Sequence, residues 1–326
     1  RMREQIIASG GEVHFACRME ELILERGEVR GVICSGDRAF HGPVLLATGH
    51  SARDVYRYLH RAEILIEAKP IAVGVRLEHP QSLIDEIRYH SPEGRGKYLP
   101  AAEYVYKAQA EGRGVYSFCM CPGGFVVPAS TGPEETVVNG MSPANRGSRW
   151  ANSGLVVELH PEDIPATGIK VEDPASPLAL MQWCEAFEHK SYLAANRSLR
   201  APAQRMTDFV ARRHSSTLPS SSYTMGLTSS DLHEWMPDFI TRRLSAGFRA
   251  FDRTTRGFLT GEAQLIGVES RTSSPVRIPR DRITYAHPVV AGLYPAGEGA
   301  GFAGGIVSAA IDGENAAQQI ALALGR

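Results

Sequence analysis

The residues best suited to chemistry form a glycine-rich run near the carboxyl end of the sequence. Residues 296–305 read AGEGAGFAGG, and 299–304 match the pattern G-x-G-x-x-G. That pattern binds dinucleotides when a strand leads into it and a helix follows it. The apolar run VVAGLY at 289–294 predicts the strand, and residues 305–324 predict the helix. The second strand and its acidic residue are missing, so the loop is not the opening turn of a self-contained nucleotide-binding unit.

The predicted helix would point free N–H groups and its positive dipole end at whatever fills the loop. Such a terminus stabilises an anion or an electron-rich oxygen by roughly 0.3–1 kcal/mol. A phosphate would suit it, as would the pyrimidine edge of a reduced flavin, whereas a tight turn without a ligand is the alternative. Spacings of three and four residues predict the face of the helix that lies against a sheet: Ile306, Ala310, Gly313, Ala317, Ile320 and Leu324.

A second set of candidates surrounds Arg271 in the run ESRTSSP. A guanidinium on a strand that leads back toward a cofactor could clamp a substrate carboxylate, with Glu269 and hydroxyls such as that of Ser273 beside it. A structural Arg–Glu pair is the equal alternative. The catalytic candidates are therefore Arg271 and Glu269.

A further polar set follows a predicted strand and consists of Asn139, Arg146 and Asn152. Together with Ser273 these are the substrate candidates, although loop capping explains the set equally well.

Cys119 and Cys121 share one face of a predicted strand. A redox pair is conceivable, but the two Cα atoms of a relaxed disulfide lie about 5.5–6 Å apart, so a bridge between these residues of an extended chain would be strained. This favours plain core or site-lining thiols. No histidine or cysteine partners accompany them at metal-ligand spacing, so no metal is expected.

Composition limits the classes of function. The 326 residues carry 35 Lys plus Arg against 36 Asp plus Glu, which gives no overall reason to expect nucleic acid or a membrane as a partner. An arginine excess within 197–256 is best explained as the solvated face of two helices. Five scattered cysteines suit a reducing compartment, so a cytoplasmic protein is expected. The substrate, the electron donor and the oligomeric state cannot be read from the sequence.

The elements that would position these residues form an α/β chain, α+β overall. The sequence predicts a helix from Arg1, a strand at Val13–Cys17, a three-stranded meander over 21–41 and a buried strand in VLLATG. Ser51 and Asp54 predict a capping box for the next helix. The texture then becomes β-rich, with helices at 175–200 and from Pro237, before it returns to the glycine loop.

These patterns predict three segments. Residues 1–68 form the second half of a nucleotide-binding domain, 69–284 an inserted substrate or catalytic domain, and 285–326 the return to the first domain. Because a first βαβ unit is missing, we expect the chain to be truncated upstream.

Eight motifs in series carry a resemblance to a known family. ATG at 47–49 and LYPAGEGAGFAGGIVSAAIDG at 293–313 resemble the two-part signature of FAD-dependent oxidoreductases of the glutathione-reductase-like superfamily. Across the whole chain, HSARDVY, SFCMCPGGFVV, VVNGMS, APAQR, LPSSSY and GVESRTSSPVRI resemble a bacterial group of uncharacterised FAD-dependent dehydrogenases.

The resemblance implies an FAD-binding Rossmann-like domain, of which the C-terminal part is present, with an inserted β-rich mixed domain. It implies hydride transfer between flavin N5 and a small-molecule substrate, with NAD(P)H as a possible electron donor. The FAD-binding residues that it implies are Met19, Ala47, Thr48, Gly49, Gly297, Glu298, Gly299, Gly304, Gly305 and Ile306. Glu298 stands where the superfamily usually has Asp. The alternative is a non-catalytic ligand- or partner-binding protein on a degenerate flavoprotein fold.

Overall fold

The computed structural model describes residues 1–325, which divide into two compact units. The first unit combines residues 1–67 with those from 276 onward, and the second unit comprises residues 68–275. The chain therefore leaves the first unit and later returns to it, and its return falls earlier than the predicted boundary at 284/285.

The helices and strands of the described residues are numbered here in chain order. The helices are α1 (Met2–Ala8), α2 (Arg53–Arg61), α3 (Gln81–Tyr89), α4 (Ile164–Thr167), α5 (Ala179–Ala194), α6 (Met206–Val210), α7 (Leu232–Trp235), α8 (Asp238–Thr254) and α9 (Ile306–Ala323), with a short 3₁₀ helix at Pro161–Asp163. The strands are β1 (Met19–Glu25), β2 (Glu28–Cys34), β3 (Arg38–His41), β4 (Val44–Leu46), β5 (Glu67–Ala68), β6 (Ile71–Pro80), β7 (Lys107–Ala110), β8 (Arg113–Cys121), β9 (Phe125–Pro128), β10 (Val138–Met141), β11 (Trp150–Leu159), β12 (Ala201–Arg205), β13 (Leu227–Ser229), β14 (Gln264–Glu269), β15 (Val276–Arg277) and β16 (Leu293–Pro295).

The first unit is built on a meander and a parallel strand pair. β1, β2 and β3 form the predicted antiparallel meander, whose tight turns place Arg26 and Asp37 at positive φ. β4 pairs in parallel with β16, although the two are far apart in sequence. Since parallel strands end at the same edge, the segments after Leu46 and Pro295 leave the pair side by side.

Three predictions for the first unit are wrong in detail. Val13–Cys17 is irregular rather than a strand. The capping box does not form, because α2 begins at Arg53 after Ala52, which makes no side-chain cap. The strand expected over 289–294 is confined to β16, whose three residues include the last two of the apolar run.

The second unit is a seven-stranded mixed sheet in the order β13-β12-β14-β6-β11-β8-β7. Its neighbours are antiparallel except for the parallel pair β12 and β13. Nearly every residue of β6 and β11 is buried. Strands buried on both faces need a layer on each side.

One face of this sheet is covered by helices and the other by a hairpin. Trp183 and Phe187 of α5 and Phe248 of α8 belong to a single apolar core with Val75 and Leu77 of β6. Each such side chain, fully buried, contributes about 1.5–3 kcal/mol of hydrophobic stabilisation.

The hairpin of β9 and β10 covers the opposite face, where Val126 and Val138 pack with Ala203 and Ile266. Arg76 points to this side, because it alternates with Val75 and Leu77 along β6. Within residues 1–325, no helix combines the length and the apolar character that crossing a membrane requires.

Candidate functional site

The ATG turn and the glycine loop of the first unit meet at the ends of the parallel pair. Ala47, Thr48 and Gly49 follow β4, and the loop follows β16, where the Ala296 N–H donates to Leu46 O at 3.0 Å. A Cβ on Gly299 would lie 2.6 Å from Gly49 O, so only glycine permits this contact. The two segments named by the sequence motifs therefore lie together.

Side chains fix this contact from two directions. The Tyr56 hydroxyl of α2 donates to Gly299 O at 2.7 Å and is fully buried. Glu298 lies with Oε1 at 3.3 Å from His50 Nδ1, so its carboxylate turns toward the residue after the ATG turn. The extra methylene of glutamate, relative to aspartate, is accommodated by this contact.

The start of the loop is tied to α9 by an aspartate. The Gly297 N–H donates to Asp312 Oδ2 at 2.7 Å, and Arg280 Nη1 donates to the same oxygen at 2.9 Å. Burial alone would raise the pKa of Asp312, but the hydrogen bonds from Arg280 and the Gly297 N–H outweigh it and lower that pKa. Arg280 also donates to Pro295 O at 2.8 Å, so one ion pair joins β16, the loop and the helix.

The N-terminus of α9 opens into free space. Gly305 is the N-cap, and the Ala309 N–H is the first to reach a helical carbonyl, at 2.9 Å from Gly305 O. The N–H groups of residues 306–308 therefore have no partner within the helix. A Cβ on Gly304 would meet no atom within 4 Å, and Ile306 is 92% exposed.

This arrangement fits an electron-rich group. Free N–H groups and the positive end of an 18-residue helix border open space at Gly304. The residues present thus suit the flavin edge that the resemblance assigns to Gly304, Gly305 and Ile306.

The face of α9 that packs on its own unit differs from the predicted one. Ala316 is its buried residue, while Ala309 and Asp312 contact or bind Gly297. On the predicted face, Ile306, Ala310, Ala317 and Leu324 are exposed, and Gly313 and Ile320 are half-buried. A part-buried ion pair between Arg280 and Asp312, which an apolar spacing pattern does not register, lies on the packed side of the helix.

Met19 lies apart from the glycine loop along the chain and begins β1. It borders a cavity of about 240 Å³ together with Arg18 and with Val55 and Tyr58 of α2. The residues that line this cavity do not test the adenine contact assigned to Met19, so that contact stays a prediction.

In the second unit, the two catalytic candidates have different partners. Arg271 Nη2 lies 2.8 Å from Glu135 Oε1 and 3.1 Å from Glu188 Oε2, and the Glu188 side chain is fully buried. Arg271 Nη1 also donates to Thr131 Oγ1 at 2.6 Å. A substrate carboxylate would therefore have to displace an existing carboxylate from this guanidinium.

Glu269 pairs instead with Arg76, which the sequence analysis missed. Arg76 is fully buried, with Nη1 at 3.2 Å from Glu269 Oε1 and Nε donating to Asn152 Oδ1 at 2.8 Å. Its Nη1 also lies 3.4 Å from Asn139 Oδ1. Two substrate candidates, Asn139 and Asn152, thus contact the arginine of a buried ion pair. The feature of the sequence that could have indicated this pair is a charged residue within an apolar strand.

The electrostatics of this cluster are finely balanced. Burial raises the pKa of Glu269 to about 7, against the opposing effect of the Arg76 guanidinium. Asn152 Nδ2 is buried without a hydrogen-bond partner among the described residues. A polar group left unsatisfied in a packed interior costs about 1–3 kcal/mol, which marks the cluster as more than packing.

The other two substrate candidates lie outside the cluster. Arg146 is exposed, has a positive φ of 46° and pairs with Glu103. Ser273 is half-buried. Neither contacts Arg76 or Glu269 in the hydrogen bonds and ion pairs of the described residues.

Comparison with known proteins identifies the family. The family described as "FAD-dependent protein, C-terminal domain-like" matches residues 70–272, which is more than half of the chain. The chain belongs to this family. The match falls within the second unit, whereas the glycine loop and the ATG turn lie in the first.

A longer relative shares nearly the whole sequence. An uncharacterised protein from Clostridium beijerinckii (strain ATCC 51743 / NCIMB 8052) is 40% identical over 323 residues, which cover 98% of this chain and 59% of the relative. The chain therefore spans about three-fifths of the length of the curated relative that it matches.

Proposed function

We propose that the chain is part of an FAD-dependent oxidoreductase of the glutathione-reductase-like superfamily. When bound, the flavin would supply hydride transfer at N5, to or from a small-molecule substrate. The observation that carries the proposal is the open N-terminus of α9, which follows the glycine loop that packs on the ATG turn. Membership of a family of FAD-dependent proteins supports it independently.

The chain's own residues would hold and polarise the cofactor. The backbone of Ala47–Gly49 and of Gly297–Gly299 would border the site, since the two segments are in close contact at Gly49 and Gly299. The N–H groups at Gly304, Gly305 and Ile306 would face the pyrimidine edge. Negative charge that develops there is stabilised by the helix terminus, which raises the reduction potential.

Substrate binding is proposed for the second unit. Its buried Arg76–Glu269 pair and the Arg271 cluster are the strongest charges that could orient a polar substrate. Glu269, with its pKa raised to about 7, could accept or donate a proton near neutral pH. Arg271 would serve as a carboxylate clamp only by exchanging Glu135 for the substrate.

The proposal also includes more protein than the residues described. Apolar side chains of the first unit, among them Met2, Ile6, Ile306 and Val307, are largely exposed. Exposed apolar side chains that adjoin one another ordinarily mark a surface that contacts other protein. The curated relative is longer than this chain, so a pyrophosphate-binding segment is a candidate for that contact.

Absorbance tests the proposal. The protein produced at its natural length should purify yellow, release FAD when denatured and bleach when a donor such as NADH or NADPH is added anaerobically. A preparation with bound FAD that dithionite reduces but no biological donor does would favour the non-catalytic alternative. A colourless protein that does not bind added FAD would contradict the proposal.

A further inference from the structure

Cys119 and Cys121 lie at a bulge in β8, not on a regular strand. Asn152 of β11 pairs with Cys121 and Gly154 pairs with Phe118, so two residues of β8 stand opposite Ser153. Cys119 has a φ of +47°, which is uncommon for a residue with a side chain. Backbone held in this region is typical of functional positions.

The bulge separates the two cysteines by exposure while keeping them in contact. Cys119 is exposed and Cys121 is buried. Cys121 Sγ lies 3.4 Å from Cys119 O. The Cys119 thiol is therefore accessible to a reagent in solvent, while the Cys121 thiol is buried next to it.

A buried cation is fixed against the pair. Arg76 Nη2 donates to Cys119 O at 2.7 Å and lies 3.1 Å from Cys121 Sγ. The guanidinium cannot turn away, because Asn152 and Glu269 hold its other nitrogens. Positive charge beside a thiol favours the thiolate, which is the reactive form.

We propose that Cys119 and Cys121 form a reversible dithiol–disulfide couple, in which Cys119 attacks a small-molecule disulfide and Cys121 resolves the product. The couple is a site of its own and does not depend on a bound flavin. Arg76 is its positioning residue.

The two exchange steps balance without any other oxidant. The Cys119 thiolate attacks one sulfur of a disulfide RSSR, so that a new S–S bond forms between Cys119 Sγ and that sulfur, the S–S bond of RSSR breaks and RS⁻ leaves. Cys121 then loses its proton to solvent or to RS⁻ and attacks Cys119 Sγ, which expels the second RS⁻. The protein dithiol is oxidised by two electrons, and RSSR is reduced to two RSH.

The ionisation of the pair agrees with these roles. The hydrogen bond from Cys121 is the main cause that lowers the pKa of Cys119 to about 6, and the charge of Arg76 adds to it. The pKa of Cys121 is raised by its hydrogen bond to Cys119 and by burial. Glu269 is the acidic group that competes for Arg76 from the neighbouring side.

The short ring makes the disulfide reversible. A single residue, Met120, separates the cysteines, and a disulfide departing from relaxed geometry stores strain and is more easily reduced. The positive φ of Cys119 bends the chain there, which reduces the strain relative to a regular strand. Such a couple suits a labile switch rather than a permanent crosslink.

Reaction of the reduced protein with glutathione disulfide tests the proposal. Trypsin releases a peptide, residues 114–146, that contains both cysteines and no other. We expect this peptide to become lighter by two hydrogen atoms, and dithiothreitol to restore it. A peptide that stays fully reduced, or that carries glutathione on each thiol without a crosslink, overturns the proposal.

Variants separate the two roles. Cys121→Ser should trap a stable mixed disulfide on Cys119, and Cys119→Ser should abolish the crosslink, whereas Cys17→Ser is the matched control and should change neither. At pH 5.5 the Cys119 thiol should react roughly tenfold to twentyfold faster than an ordinary thiol, after allowance for its lower nucleophilicity.

Two outcomes with the variants would refute the roles. If Cys119 and the half-buried Cys17 react at equal rates, Cys119 is not an unusually reactive thiol. If the Cys121→Ser protein never retains glutathione, Cys119 is not the attacking nucleophile. Should Cys119→Ser fail to fold, the Cys121→Ser trapping experiment still decides. Arg76→Lys, which keeps the charge but not the planar fork, should slow the reaction without changing which thiol is modified.

Discussion

A single methyl group added at Gly140 should break the buried cluster of the second unit. A Cβ at this position of β10 would lie 1.9 Å from Arg76 Nη2 and 2.2 Å from Asn152 Oδ1. The backbone of Gly140 is not in the left-handed region, so alanine is tolerated by the main chain itself. The clash is therefore with the side chains of Arg76 and Asn152.

The cost follows from what holds Arg76. A flexible arginine end could ordinarily move aside, but this one is fully buried and bonded to Asn152, Glu269 and Cys119 O. Displacing it leaves Glu269 buried without its charge partner, a loss of about 3 kcal/mol or more. For a unit of this size that corresponds to a fall in Tm of roughly 6–12 °C.

Thermal unfolding followed by calorimetry checks this magnitude against a matched control. Gly147→Ala also adds a methyl group to the second unit, but its nearest neighbours are Asn145 side-chain atoms at 3.4 Å, which can adjust. Gly140→Ala should unfold well below both the parent and Gly147→Ala. A Tm for Gly140→Ala within about 2 °C of the control would refute the claim that Arg76 is locked.

Three further predictions test other parts of the structure. Burial lowers the pKa of His79 to about 4, so stability should fall as pH drops from 6.5 towards 4, by up to about 3 kcal/mol; urea titrations of His79→Gln should lose this slope and those of the half-buried control His189→Gln should keep it. The lowered pKa of Asp312 contributes stability that is present above its ordinary value of 3.8 and is lost as pH falls below it, so Asp312→Asn should unfold at lower urea concentration near pH 6 but differ little from the parent near pH 2. Arg271→Met removes the guanidinium that contacts both Glu188 and Glu135 and should destabilise the protein by about 3 kcal/mol; an unchanged urea midpoint would show that these contacts are dispensable.

Much of the fold was predictable because its signals are local. The meander over 21–41 follows from alternation and glycine turns, and the helix at the carboxyl end follows from its spacing and the preceding glycines. The parallel pairing of β4 with β16 follows from no local pattern, since their residues are far apart in sequence. The family resemblance, rather than periodicity, put the ATG turn beside the glycine loop.

The polar cluster was not predictable for a physical reason. Arg76 occupies one of the even-numbered positions of β6, which would be exposed in a strand with one solvated face. The hairpin of β9 and β10 that covers Arg76 is distant in sequence. Its partners Glu269 and Asn152 were singled out separately, without the arginine that joins them. Similarly, Asp312 anchors α9 through a charge pair that an apolar stripe cannot report.

Flavin affinity of two glycine variants tests the central claim most directly. In the protein at its natural length, Gly304→Val would place a side chain in the open space at the N-terminus of α9. Gly313→Val adds the same bulk further along the helix, where a Cβ also meets nothing within 4 Å. We expect Gly304→Val to weaken FAD binding at least tenfold, about 1.4 kcal/mol, in fluorescence titrations, and Gly313→Val to leave it unchanged. Equal FAD affinity in the parent and both variants would contradict the assignment of this helix terminus to the flavin.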